Sequence, residues 1–238
     1  MAPPESKRVR NLLLNALPAQ EQRALIAQAE FVELPRRALL ELPNKKIEKV
    51  YFVESGIVSI VANGAKGGQV EVGIIGREGI TGLAVIHGAD RLPYSSYMQV
   101  AGTAYSAPAT AIRDAMKRSA ECQRVFANFA QAFTLQIAET AVANAQARIE
   151  ERLARWLLMA QDRVGKETIP LTHEFLSLMM GARRASVTEA IHAAARKGLV
   201  THARATIVIS DRAGLEASAG RYYGLPEREY RRLFHKVS

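Results

Sequence analysis

The chain has 238 residues, 48% hydrophobic and 23% charged, an ordinary balance for a folded protein with room for one large or two modest domains. Its 32 Lys and Arg against 23 Asp and Glu leave a formal charge of +9, which suits a polyanionic partner because cationic side chains that neutralise phosphates release condensed counterions. A single cysteine, Cys122, excludes an intrachain disulfide framework and a multi-cysteine iron–sulfur cluster, and no apolar run approaches the length of a membrane span.

The opening MAPPESKRVR is basic, but LLLNAL is too short for the apolar region of a signal peptide, so a soluble, cytoplasmic protein is expected. Residues 9–30 read as helical, with Leu13, Leu14, Leu17, Leu25 and Ile26 apolar and Pro18 starting a second short helix. From about 31 to 108 the texture changes to short β-rich runs punctuated by glycine: KVYFV, ESG, IVSIV, NGAKGG, QVEVGII, GREG. Such runs imply a compact antiparallel roll or barrel.

Between Asp114 and Ala147 there is neither Pro nor Gly. Cys122, Phe126, Phe129, Phe133, Ile137, Ala141 and Ala145 recur at intervals of three and four, an apolar stripe along a helix of some nine turns. A helix of that length packs only part of its stripe on one small domain, so the remainder is assigned to a second copy of the chain. The seam is expected at Phe126, Phe129, Phe133, Ile137 and Ala141. A second amphipathic helix follows in RIEERLARWLLMAQ.

After Pro170, Thr172 can cap a short helix whose inner face is Phe175, Leu176, Met179 and Met180, and Gly181 permits a tight turn. The next helix runs from about Arg183 to Lys197, stopped by Gly198. Val187, Ile191 and Ala194 share its inner side; Ala185, Glu189, His192 and Arg196 lie opposite, with Arg184 and Thr188 at the edge of that outer arc. A slim polar face rimmed by arginine near a helix N-terminus fits a major groove. Arg183 is a poor N-cap residue, and a phosphate contact explains it better than helix stability. LVTHARATIVI reads as two short strands joined near Ala203–Ala205, a wing tipped by Arg204, and SDRAGLEA starts a further helix capped by Ser210 or Asp211. The bland alternative is a helix-turn-helix that serves only as a protein-docking module.

The order of these parts resembles the CRP/FNR superfamily of bacterial transcription regulators. The likeness covers nearly the whole chain and is strongest in KVYFVESGIVSIV, EERLARWLL and LTHEFLSLMMGARRASVTEAIHAAARKGLV with the wing TIVI. It implies an α+β chain: N-terminal helices and an antiparallel, cyclic-nucleotide-binding-like β-roll over 1–113, a long dimerisation helix over 114–147, and a winged helix-turn-helix over 148–238. It further implies a homodimer reading successive major grooves of double-stranded DNA at a partly palindromic site, with half-sites ~34 Å apart, and contact with RNA polymerase. On this resemblance Arg184 matches the base-reading arginine, Arg183 and Ser186 fall at phosphate-contact positions, and Ala185, Thr188, Glu189 and Arg204 complete the DNA surface.

The same resemblance argues against a cyclic nucleotide. The segment that should hold the ribose is ITGLAVI, where Gly82 survives but Leu83 stands at the glutamate position. The phosphate segment is YSSYMQV, with Tyr94 where the clamping arginine should be, followed by Ser95. A buried phosphate without its guanidinium loses a charge-assisted bidentate contact. The effector is therefore expected to be something else, with a cyclic-nucleotide-responsive regulator as the alternative reading. Neither cofactor nor metal is expected. A cupin-like β-barrel enzyme, the rival from another class, needs two or three histidines in the roll, and only His87 lies there.

Overall fold

The computed structural model describes residues 9–64, 69–203 and 205–234. Two short helices, α1 (Leu12–Asn15) and α2 (Ala19–Ala27), open the chain; the Asn11 side chain accepts from Leu14 N and caps α1, and Pro18 precedes α2. Leu13, Leu14, Leu17 and Leu25 are buried, as their spacing requires.

The roll is an antiparallel sheet of β1 (Glu30–Leu34), β2 (Leu39–Glu41), β3 (Lys49–Asn63), β4 (Gln69–Ile75) and β5 (Ser95–Pro108). Its order is β1-β5-β3-β4, with β2 also paired to β5. KVYFV and IVSIV, separate runs in the sequence, are one continuous strand, β3; the intervening Glu54–Ser55–Gly56 is absorbed as a register irregularity against β5. Gly56 allows this because it sits at φ +87, where an added Cβ would lie 2.5 Å from the Val100 carbonyl oxygen. The NGAKGG turn falls largely on residues 65–68, outside the described residues. A four-residue helix, α3 (Leu83–Ile86), starts at Gly82.

The Pro- and Gly-free stretch is two helices. α4 (Ala109–Arg118) ends at Ser119, which is extended and whose hydroxyl accepts from Cys122 N, capping α5 (Ala120–Gln146). A serine suffices as a start signal because its oxygen satisfies an amide the helix leaves unpaired. At 27 residues, α5 is about 40 Å long.

The C-terminal unit holds α6 (Ile149–Val164), α7 (His173–Met179), α8 (Arg184–Arg196) and α9 (Arg212–Ala219), and a sheet ordered β6-β8-β7 from β6 (Thr168–Ile169), β7 (Val200–Ala203) and β8 (Thr206–Ile209). Strand β6, in ETIP, and a last helix, α10 (Leu225–Phe234), were not read from the sequence. Two buried clusters result. One fills the roll and the lower half of α5; the other joins the outer side of β3–β5, through Ile57, Ile74 and Val100, to α6 and the C-terminal unit.

Candidate nucleic-acid interface

Helix α7 is capped by Thr172, whose hydroxyl accepts from Phe175 N, and its Phe175, Leu176 and Met179 are buried. Gly181 turns the chain at φ +54, the left-handed conformation that glycine alone adopts without a steric penalty. Arg183 then occupies the N-cap position of α8 in an extended conformation with no side-chain cap bond. Its guanidinium does nothing for the helix.

On α8, Val187, Ala190 and Ile191 are buried against α6 and α7, while Arg184, Ala185, Thr188, Glu189, His192 and Arg196 line one open surface. Those six are the outer arc expected from the helical period. The adjacent arginines diverge: Arg184 belongs to that surface, whereas Arg183 lines a cleft of about 890 Å³ whose far wall is the roll, at Arg37, Leu39, Gln69 and Tyr97. Ser186 is half-buried. The wing forms as read, β7 and β8 pairing from Val200↔Ile209 to Ala203↔Thr206, with Ala205 in the turn at φ +61. Its predicted tip, Arg204, lies outside the described residues. His202 of β7 stacks on His192 of α8, centroids 5.2 Å apart, fixing the wing to the exposed helix.

Residues 151–218 match the family described as the Crp-like helix-turn-helix domain. The whole-chain fold agrees. FixK2 from Bradyrhizobium japonicum superposes with TM-score 0.71 at 14% identity, over 81% of this chain and 98% of that one. The CRP-family transcriptional regulator TTHB099 from Thermus thermophilus gives 0.66 at 19%, over 79% and 96%. The c-di-GMP-responsive global regulator CLP from Xanthomonas campestris gives 0.66 at 15%, over 81% and 99%. A search of curated proteins finds no match. Residues 151–218 are thus similar to a Crp-like helix-turn-helix, and the chain shares the fold of these regulators.

The Crp-like domain is bolted to the roll by buried polar contacts. Trp156 Nε1 of α6 donates to Glu71 Oε1 of β4 at 2.7 Å, and the Ser59 hydroxyl donates to the other Glu71 oxygen. Complete burial pushes the Glu71 carboxyl up to about 7, with Ser59, Trp156, Arg163 and Arg155 pulling it back in part. Arg155 donates through Nε to the Tyr222 carbonyl and through Nη2 to the Thr140 hydroxyl, clipping α6 to α5. Arg152 donates to the Met180 carbonyl, where α7 ends. The segment ERLARWLL, read in the sequence as an amphipathic helix and as part of the resemblance, carries these contacts.

The four roll residues singled out in the sequence are now placed. Gly82 opens α3 at φ +81, Leu83 is half-buried, Ser95 is buried, and Tyr94 is 38% exposed. Arg91 is ion-paired to its neighbour Asp90 at 2.8 Å on the surface. Sequence reasoning missed Glu41: burial raises its carboxyl, with Ser96, the Gly82 main chain and Thr81 pulling it back. A buried carboxyl thus stands beside the Gly82 main chain. His87 is exposed, and no group of three metal-capable side chains forms among the described residues.

The long-helix seam needs correction. Phe126, Phe129 and Phe133 are buried against their own roll; an added Cβ at Gly79 would meet the Phe129 ring at 2.2 Å, and one at Gly73 the Phe133 ring at 2.8 Å. Ile137 packs partly on the same core. Ala141 alone of the five faces outward, on a stripe with Thr134, Ala138 and Ala145. Helical periodicity finds an apolar face but does not say which body covers it.

Proposed function

We propose that this protein is a homodimeric, sequence-specific transcription regulator that reads a partly palindromic DNA site, one α8 in each of two successive major grooves. The observation that carries the reading is the outer surface of α8: Arg184, Ala185, Thr188, Glu189, His192 and Arg196 together, on the second helix of a Crp-like helix-turn-helix. Arg184 has no ion-pair partner among the described residues and stands in the first turn, where side chains usually reach base edges. It is assigned a guanine by bidentate contact. Arg183 and Ser186 are assigned phosphates, Thr188, Ala185 and Glu189 the groove wall, and Arg204 the backbone beside the wing.

Dimerisation is assigned to the outward stripe of α5, centred on Ala138 and Ala141 with Leu135 and Val142 half-exposed beside them. Small side chains there let two helices approach closely. The effector is not a cyclic nucleotide, because Tyr94 and Leu83 replace the clamp and Glu41 sits beside it. The reading includes a role in the cytoplasm, contact with RNA polymerase and no catalysis.

Selection of bound fragments from a random DNA pool tests the whole proposal. The expected product is a two-fold-related pair of half-sites about one helical turn apart. A pool that emerges unenriched sinks it.

A further inference from the structure

A cavity of about 300 Å³ lies where the roll, α5, α6 and the C-terminal helix meet. It is remote from the degenerate nucleotide pocket, sharing none of Glu41, Gly82, Leu83 or Tyr94. Its outer wall is α10, which lies beyond the residues matched to the Crp-like domain. Two bonds hold that wall: the Tyr230 hydroxyl donates to the Glu78 carbonyl at 2.8 Å, and Asn128 Nδ2 to the Leu233 carbonyl at 3.2 Å.

We propose that this junction cavity binds a small organic anion with a flat apolar body, and that occupancy sets how the Crp-like domain sits on the roll. The floor supplies the apolar half, from Leu12, Phe129, Phe133 and the Tyr230 ring. The rim supplies the charge. Four guanidiniums and three carboxylates line it; Arg163 pairs with Glu78 at 2.8 Å and Arg212 with Asp162 at 2.9 Å. The third carboxylate, Glu227, accepts from Gly224 N at 3.0 Å. Arg77 and Arg231 are left with no ion pair among the described residues, on opposite walls of the same cavity. With four guanidiniums against three carboxylates the lining keeps one net positive charge, and beside an aromatic floor this selects an aromatic or aliphatic body with one carboxylate, sulfonate or phosphate.

Position gives the site its leverage. Arg163 and Asp162 belong to α6, Arg212 to α9, Glu78 to the loop after β4, and Phe129 and Phe133 to α5. A ligand that meets Arg77 of the roll together with Arg163 and Arg212 of the Crp-like domain bears on both bodies at once. The effect on DNA rests on the regulator reading above, whereas the binding itself does not.

The probe is 8-anilinonaphthalene-1-sulfonate, titrated by fluorescence into the full-length protein, with neutral N-phenyl-1-naphthylamine as its uncharged counterpart. One sulfonate per chain is expected, with the neutral compound bound at least about tenfold more weakly. Ala132→Trp, which fills the cavity, and the double change Arg77→Glu with Arg231→Glu should each weaken the sulfonate by about tenfold or more. The double change touches only the rim, so it keeps the test alive if the tryptophan variant fails to fold. Equal affinity for both probes, unchanged affinity in the double variant, or no saturable binding overturns the site. A mobility shift with selected DNA, with and without probe, reads the coupling: a changed DNA affinity supports it and an unchanged one ends it. A protein that bound the sulfonate but no DNA would refute the regulator reading alone.

Discussion

Trp156 of α6 donates its indole N–H to the Glu71 carboxylate of β4 at 2.7 Å, in an interface where both side chains are nearly inaccessible. One hydrogen bond therefore joins the roll to the Crp-like domain through a carboxyl group that burial raises to about 7. Because the native state holds this proton more tightly than the unfolded chain, Glu71 favours folding at low pH. Its contribution falls as pH rises from about 4.5 and is fully lost above about 7. Between pH 5.5 and 8 the loss should be roughly 2 kcal/mol, several degrees of melting temperature. Glu71→Gln should flatten that part of the melting profile; a profile parallel to wild type would show that the carboxyl does not titrate there.

Trp156→Phe keeps the ring and removes the donor. The one Glu71 oxygen left without its donor should cost about 1–3 kcal/mol, most at pH 8, where the carboxyl is charged, and least at pH 5.5, where it is protonated. Calorimetric melts at the two pH values check this, and an equal loss at both would assign the effect to packing alone.

These two residues also show what was legible beforehand. Trp156 read correctly as a helix residue on an apolar face, and Glu71 as part of a β-run, because periods of 3.6 and 2 survive in single segments. Their pairing spans 85 positions, and nothing local encodes it. The same limit separates the site residues. The outer arc of α8 was predictable residue by residue, since a helix face follows from spacing and its inner half from Val187 and Ile191. Phe129 and Phe133 were visible as a stripe, but the glycines that receive them, Gly79 and Gly73, lie on other elements. Glu41 and the α10 wall were missed for the same reason: each acquires its role from a distant partner. The signals for α10 were present in Pro226, Tyr230 and Phe234, but the segment follows the motifs that carry the resemblance.

Phe133→Ala should therefore destabilise each chain, by about 3–5 kcal/mol, because it empties space against Gly73 inside one protomer. Ala138→Glu, on the outward stripe, should leave the circular dichroism melt of each subunit recognisable and halve the mass in light scattering. A dimeric Ala138→Glu protein would move the seam elsewhere.

Cyclic AMP and cyclic GMP should leave the melting temperature unchanged at millimolar concentration. A ligand at about 100 times its Kd adds about 2.7 kcal/mol to a folded protein, so genuine binding would be plain in a thermal-shift assay. Leu83 and Tyr94 give the reason: they stand where the resemblance places the ribose-holding glutamate and the clamping arginine. A rise of several degrees with either nucleotide would restore the roll as the sensing pocket.

The two arginines at the start of α8 should fail differently when removed. Arg184 lies on the outer surface with Ala185, Thr188 and Glu189, so Arg184→Ala should relax preference at one base pair by ~1–3 kcal/mol and leave the rest of the half-site intact. Arg183 lines the cleft toward Arg37 and not that surface, so a phosphate, not a base edge, is the contact assigned to it. Arg183→Ala should weaken all sequences nearly equally and lower the salt slope of log K by about 1 per protomer. Binding titrations across salt, on the selected site and on single-base variants, separate the two patterns. If Arg184→Ala instead weakened every sequence alike, the base-reading role would pass to a neighbour on the same face, with Glu189 the first candidate because its carboxylate can accept from a cytosine amine.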